Sequence, residues 1–146
     1  MRRCYIFDID GTLADLSHRL HHIKGETKDW RAFFRAVGQD TPIEHICHLA
    51  RDLASAGCVI VYVSGRSDEC RAATEDWIRM YGLPDGRVFM RAEGDHRPDD
   101  LVKAELLAEL IEAGFAPVMA FDDRNRVVEQ WRSNGVPCAQ VAPGDF

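Results

Sequence analysis

Apolar positions along the chain fall into short blocks separated by longer amphipathic stretches. The blocks lie at about Cys4 to Asp8, Cys58 to Val63, Val88 to Arg91, Val118 to Phe121 and Cys138 to Val141. Blocks of this length, nearly continuous in apolar residues, read as strands buried on both faces of a parallel sheet. The stretches between them carry the helical period. Ile43, Ile46, Leu49, Ala50 and Leu53 form one stripe, which predicts a helix from Pro42 to about Ala56. Thr41 is placed to cap it, Pro42 to be its first residue and Gly57 to end it. Further helices are expected over Asp68 to Tyr81, Asp99 to Ala113 and Arg126 to Asn134. Strand and helix therefore alternate. The expected architecture is α/β, a Rossmann-like three-layer sandwich with a central parallel sheet of about five strands.

Residues 14 to 40 break this rhythm and read as a small helical, cap-like insert after strand one. Ser17 to Ile23 is compatible with a helix, and Lys28 to Val37 reads as a short amphipathic one. Trp30, Phe33, Phe34 and Val37 fall on one face of it, a pattern that favours packing into the core over stacking on a nucleobase. His18 and His22 have a spacing that suits a transition metal on a helix, but no third ligand is evident.

The ends of the strands change the picture from fold to chemistry. Strand one runs into Asp8-Ile9-Asp10-Gly11-Thr12, strand two into Ser64-Gly65-Arg66 and strand four into Asp122-Asp123-Arg124. The helix before strand four opens with Asp99-Asp100 and carries Lys103 one turn later. Strand carboxyl ends of a parallel sheet share one edge, so these clusters can converge although they are far apart in sequence. Each has an ordinary explanation by itself, as a turn, a loop, a helix cap or an exposed lysine. All of them in strand-end order is much harder to attribute to chance. Crowded carboxylates at the end of an apolar strand are costly unless a cation neutralises them, and hard oxygen donors suit Mg²⁺. A carboxylate held beside a cation can attack phosphorus, and a second can move protons.

Composition narrows the class. The formal net charge of −6 argues against a protein that coats duplex DNA, but leaves room for a small footprint on a nucleic-acid end. Five cysteines with no Cys-x-x-Cys spacing read as reduced core residues of a cytoplasmic protein. No apolar run reaches the length of a membrane span, and the N-terminus does not read as a signal peptide. The phosphate-binding loop of nucleotide kinases and the dinucleotide-binding glycine pattern are both missing, so no kinase domain is expected within residues 1 to 146.

The ordered set Asp8-x-Asp10-Gly11-Thr12, Ser64, Lys103, Asp122-Asp123 resembles the signature of the haloacid dehalogenase-like phosphohydrolases. The second half is similar to a narrower group, the 3′-phosphatase domain of phage-type polynucleotide kinases. The similar stretches are Gly94-Asp95-x-Arg97-x-Asp99-Asp100-x-Val102-Lys103, Asp122-Asp123-Arg124, and the tail Gln140-Val141-Ala142-x-Gly144-Asp145-Phe146. The resemblance implies a single phosphatase domain that removes a 3′-phosphate from DNA or RNA ends with Mg²⁺ and an aspartyl-phosphate intermediate. It implies Asp8 as nucleophile, Asp10 as general acid and base, and Lys103 as a third catalytic group. Metal ligands would come from Asp8, the Asp10 backbone carbonyl, Asp122 and Asp123. Thr12, Arg19, Ser64, Gly65, Arg66 and Asp99 would contact phosphate or substrate, Arg19 in a local sequence that departs from the family's. Expected partners are a nucleic-acid 3′ end and a separate kinase or ligase, with no membrane; the sequence leaves a homodimer open. A phosphatase for mononucleotides, or a non-catalytic module of an end-processing complex, are the rival expectations.

Overall fold

A computed structural model describes residues 1–146, and its architecture is the expected three-layer sandwich. Five parallel strands form the central sheet: β1 (Arg2–Phe7), β4 (Val59–Ser67), β5 (Val88–Arg91), β6 (Phe115–Asp122) and β7 (Cys138–Gln140). Their order is β5-β4-β1-β6-β7. The direction of winding reverses at β1, which puts the ligand-binding crevice of this topology outside its carboxyl end. The remaining pair, β2 (Ala14–Asp15) and β3 (Thr41–Pro42), is a two-stranded antiparallel clasp.

Side chains of each strand alternate between two cores, as the pleat requires. Phe7, Ile60, Tyr62 and Phe121 join the core beneath α2 (Glu44–Ser55) and α3 (Arg71–Met80). Cys4, Ile6, Val61, Val63 and Ala120 join the other, beneath α4 (Asp99–Glu112) and α5 (Asn125–Ser133). Register then places the chemistry. Phe7 pairs with Tyr62 on one side and Phe121 on the other, so the next residues along β1 and β6 are Asp8 and Asp122, side by side.

The structure corrects several boundaries. Thr41 and Pro42 do not start a helix; they pair with Asp15 and Ala14, and α2 begins only at Glu44. The clasp needs these two residues extended, and it closes the segment between β2 and β3 at its base. Ser17–His22 is a 3₁₀ helix, not an α-helix, so the i, i+4 geometry assumed for His18 and His22 does not exist. Strand β6 starts three residues earlier than expected, at Phe115, because Pro117 is absorbed. Cys4 pairs with Pro117 and Tyr5 with Met119, and the slip accommodates a residue that has no N–H to donate. Strand β4 continues past Val63 through Ser64-Gly65-Arg66.

In the segment between β2 and β3, α1 (Trp30–Arg35) is capped by Asp29, which accepts a hydrogen bond from the Ala32 N–H. Phe33 and Val37 are buried as expected, but Trp30 is exposed. The five cysteines are free thiols, and four of them are buried. No helix is long and apolar enough to cross a membrane.

Candidate active site

Asp8 sits one residue beyond β1, and its backbone N–H still donates to the Phe121 carbonyl at 3.0 Å. The strand thus fixes its Cα. Its side chain is fixed from two directions: Lys103 Nζ donates to Oδ1 at 2.8 Å and Thr12 Oγ1 donates to Oδ2 at 2.9 Å. The turn that brings Thr12 back depends on Gly11, whose φ of +83° disfavours a side chain. A Cβ there would also lie 2.1 Å from Asp123 Oδ2, so any side chain would push that carboxylate aside.

Lys103 reaches the site because α4 carries it on the stripe that also buries Leu106, Leu107 and Leu110. Its ammonium also donates to Asp122 Oδ2 at 2.8 Å. Asp122 is further held by the Trp131 indole, which donates to Oδ2 at 3.1 Å, and by the Asp123 N–H at 2.8 Å. Trp131 therefore does more than fill the core, the only role its sequence position suggests. Oxygens of Asp8, Asp122 and Asp123 lie within 4.8 Å of one another, and all three residues are buried.

Three carboxylates around one ammonium are electrostatically incomplete. Burial and the Asp122 charge push the Asp8 carboxyl well above its usual range, with Lys103 opposing. Burial and Asp122 also push Asp123 up to about 6. Lys103 remains a cation: burial disfavours its charge, but Asp122 and Asp8 outweigh that and raise it. The set has room for positive charge and hard oxygen donors to hold it, so the residues fit a divalent cation such as Mg²⁺.

Asp10 lies two residues away, in a different environment. Arg19 Nη2 donates to its Oδ1 at 2.7 Å, and Arg66 donates to the same oxygen from Nε at 3.1 Å and Nη2 at 2.8 Å. Oδ2 takes none of these bonds. Burial alone would raise Asp10, but Arg66 and Arg19 outweigh it and hold the carboxyl below its usual range. The two guanidiniums are aligned by Asp40, which is fully buried. Asp40 accepts from Arg19 Nε and Nη2, both at 2.8 Å, and from Arg66 Nη2 at 2.9 Å. His18 Nε2 is 2.6 Å from Asp40 Oδ1, and the Asp40 carbonyl accepts from the Trp77 indole at 2.8 Å. Arg19 Nη1 is buried and left without an acceptor.

The predicted residues thus separate into two groups. Asp8, Thr12, Lys103, Asp122 and Asp123 converge on one center. Asp10, Arg19 and Arg66 form the other. Thr12, expected to contact phosphate or substrate, donates its hydroxyl to Asp8. Asp10 contributes no side-chain oxygen to the three-carboxylate group. Ser64 is buried, with its Oγ accepting from the Arg66 N–H at 3.1 Å. Gly65 leaves space for Asp99: a Cβ would be 1.8 Å from Asp99 Oδ1. Arg91 joins the two by donating to the Gly65 carbonyl at 2.7 Å and to Asp99 Oδ1 at 3.1 Å. Arg97 and Arg124 are engaged locally, Arg97 with Asp95 and Glu105 and Arg124 with the Phe146 carbonyl. Asp40 was missed by sequence reasoning. Its partners lie 21 and 26 residues away, and it sits in an irregular stretch with no period to mark it.

This site can be set beside known proteins. The model of the polynucleotide kinase PNKP phosphatase domain matches residues 2–146. The chain belongs to this family. It is a haloacid dehalogenase-like phosphatase domain of the PNKP type, as the ordered motifs implied. A putative bifunctional polynucleotide kinase/RNA ligase of Autographa californica nuclear polyhedrosis virus is 30% identical over 137 residues, 92% of this chain and 18% of that protein. A chain of the solved Pnkp1/Rnl/Hen1 complex is 30% identical with a TM-score of 0.87, covering 100% of this chain and 48% of that one. A chain of the Pnkp1/Rnl/Hen1 RNA repair complex is 29% identical, also with a TM-score of 0.87, and this chain covers 44% of it. The PNKP-type domain described here therefore spans less than half of each of these proteins.

Proposed function

We propose that this PNKP-type domain is a Mg²⁺-dependent polynucleotide 3′-phosphatase that works on nucleic-acid ends together with kinase and ligase activities. The observation that carries the reading is the separation of Asp8 from Asp10. One carboxylate is gripped by Lys103 and Thr12 beside two further acids, and the other is gripped by two arginines. Within a PNKP-type family that division suits a nucleophile and a proton carrier.

The cation would be held by the carboxylates of Asp8 and Asp123 and the Asp10 carbonyl, with Asp122 holding Lys103 in place. It would supply charge neutralisation for the attack of one anion on another. Asp8 attacks phosphorus and the bond to the 3′-oxygen breaks; Asp10, which the charge of the bound phosphate lets hold a proton against the pull of its arginines, gives that oxygen the proton. Asp10 then takes a proton from water, and the resulting attack on phosphorus releases phosphate and restores the Asp8 carboxylate. Asp10 Oδ1 is committed to the arginines, so Oδ2 is the oxygen available for both transfers. Ser64 and Lys103 hold phosphate oxygens.

RNA ends are the favoured substrate, because the similar solved chains come from an RNA repair complex. The test is a direct comparison of rates on a 3′-phosphorylated oligonucleotide, RNA and DNA, and on 3′- and 5′-mononucleotides. The oligonucleotides should be hydrolysed with the higher kcat/KM. Equal or better rates on the monomers would replace this reading with a mononucleotide phosphatase.

A further inference from the structure

An aromatic cluster on the segment between β2 and β3 is unused by the chemistry above. Trp30 is 47% exposed, although it was expected to pack. Its indole is supported from below, edge-on to Phe33 with centroids 5.6 Å apart and tilted against Phe34 at 6.0 Å. Phe33 in turn lies under the Arg19 guanidinium, 4.3 Å from its ring centroid, and Arg19 grips Asp10 at 2.7 Å. Only two residues, Phe33 and Arg19, therefore separate an exposed indole from Asp10.

The charge around Trp30 is as unusual as its exposure. Lys24, Lys28, Arg31 and Arg35 are all exposed, and none of them forms an ion pair. Arg19, in the same segment, is instead paired with Asp10 and Asp40. Residues 24 to 35, which include Trp30, hold these four unpaired cations against two acids, Glu26 and Asp29, a local reversal of sign in a chain with a net charge of −6. Cations that track a phosphate backbone, interleaved with an aromatic surface, are how single strands are held without sequence preference.

We propose that Trp30 is a stacking platform for a nucleobase in the 3′-terminal segment of the substrate strand, with Lys28, Arg31 and Arg35 beside it for the backbone phosphates. The segment between β2 and β3 then acts as the substrate-selecting part of the protein. It holds the strand by its bases and charge, while the reacting phosphate is held by the strand ends. This inference rests on the polynucleotide reading above.

Two measurements on the full chain test it. The first is kinetic. Trp30→Ala should raise KM for a 3′-phosphorylated oligonucleotide on the order of tenfold, the usual effect of losing one base–aromatic stack. Its kcat and its rate on p-nitrophenyl phosphate should stay within about twofold of wild type, and Trp30→Phe should restore most of the affinity. The second is optical. Trp77 and Trp131 are only 1% and 2% exposed, so solvent-accessible indole emission comes from Trp30. In the Asp8→Asn background, which binds without turnover, a 3′-phosphorylated oligonucleotide should quench that emission, and the same strand without bases at its last two positions should not.

An unchanged KM in Trp30→Ala, with wild type active on the oligonucleotide, would overturn the platform and leave the polynucleotide reading standing. Equal losses on the oligonucleotide and on p-nitrophenyl phosphate would assign Trp30 a structural role and also overturn it. A wild-type protein no better on oligonucleotides than on mononucleotides would remove both.

Discussion

Two charge clusters lie two residues apart on the chain and solve opposite problems. Around Asp8, three carboxylates meet one ammonium, and burial raises Asp8 and Asp123 because the chain supplies too little positive charge. Around Asp10, two carboxylates meet two guanidiniums, and the arginines hold Asp10 low despite its burial. The first cluster is short of positive charge and can take a cation; the second balances its charge within the fold. The difference shows how one strand end can place two chemically identical side chains in opposite electrostatic environments. Neighbouring charge, more than burial, separates them.

The comparison can be broken from either side. The largest effect is expected from Asp40→Ala, which removes the buried anion shared by Arg19 and Arg66. Stripping one partner from a buried ion network costs about 3 to 5 kcal/mol, so the melting temperature should drop sharply and activity should fall with it. Lys103→Ala removes the only cation touching Asp8, and kcat should fall by about 10² to 10³. Circular dichroism at the assay temperature separates that loss from unfolding.

Smaller changes sharpen the contrast. Gly11→Ala introduces a Cβ against Asp123 where φ is already positive, so Mg²⁺ affinity by calorimetry should weaken by about 10- to 100-fold while the Asp10 cluster stays intact. Trp131→Phe deletes one donor to Asp122 and should cost about 0.5 to 1.5 kcal/mol in stability. The smallest effect is on pH dependence. Folded Asp123 titrates near 6, above the 3.8 of a free carboxyl, so the folded state binds more protons than the unfolded chain between those values. Stability without metal should therefore fall as pH rises through that window. Mg²⁺ competes with those protons, so the rise in Tm on adding Mg²⁺ should be greater at about pH 8 than at about pH 5.

The Asp8 side of the molecule was legible in the sequence, and the Asp10 side was legible except for the buried anion that organises it. Asp8 and Asp122 end apolar blocks that must be strands, and Lys103 interrupts the apolar stripe of a helix where a lysine is costly without a partner. Strand-end order places the acids on one edge, and the ordered motifs of the resemblance add Lys103. Asp10 and Arg66 were visible at the ends of strands, and Arg19 through the resemblance, but Asp40, which aligns both guanidiniums, comes from the irregular segment between β2 and β3. Asp40 has no periodic context, and the clasp that positions it has only two residues per strand, too short for alternation to show. The misplaced start of α2 has the same cause, since Thr41-Pro42 has the chemistry of a helix start and is overruled by pairing with Ala14 and Asp15. Trp30 was misread because helical spacing reports which residues share a face, not how much of that face the core can cover.

The division of labour between the clusters is the central claim, and p-nitrophenyl phosphate tests it most directly because its leaving group departs without needing a proton. Asp10→Asn should release a burst of one p-nitrophenolate per enzyme and then stall, with a phosphoryl group recoverable on the peptide that carries Asp8 after acid quench. Asp8→Asn should give neither burst nor turnover. Steady turnover by Asp8→Asn, or a phosphoryl group recovered on any other residue, would contradict the account.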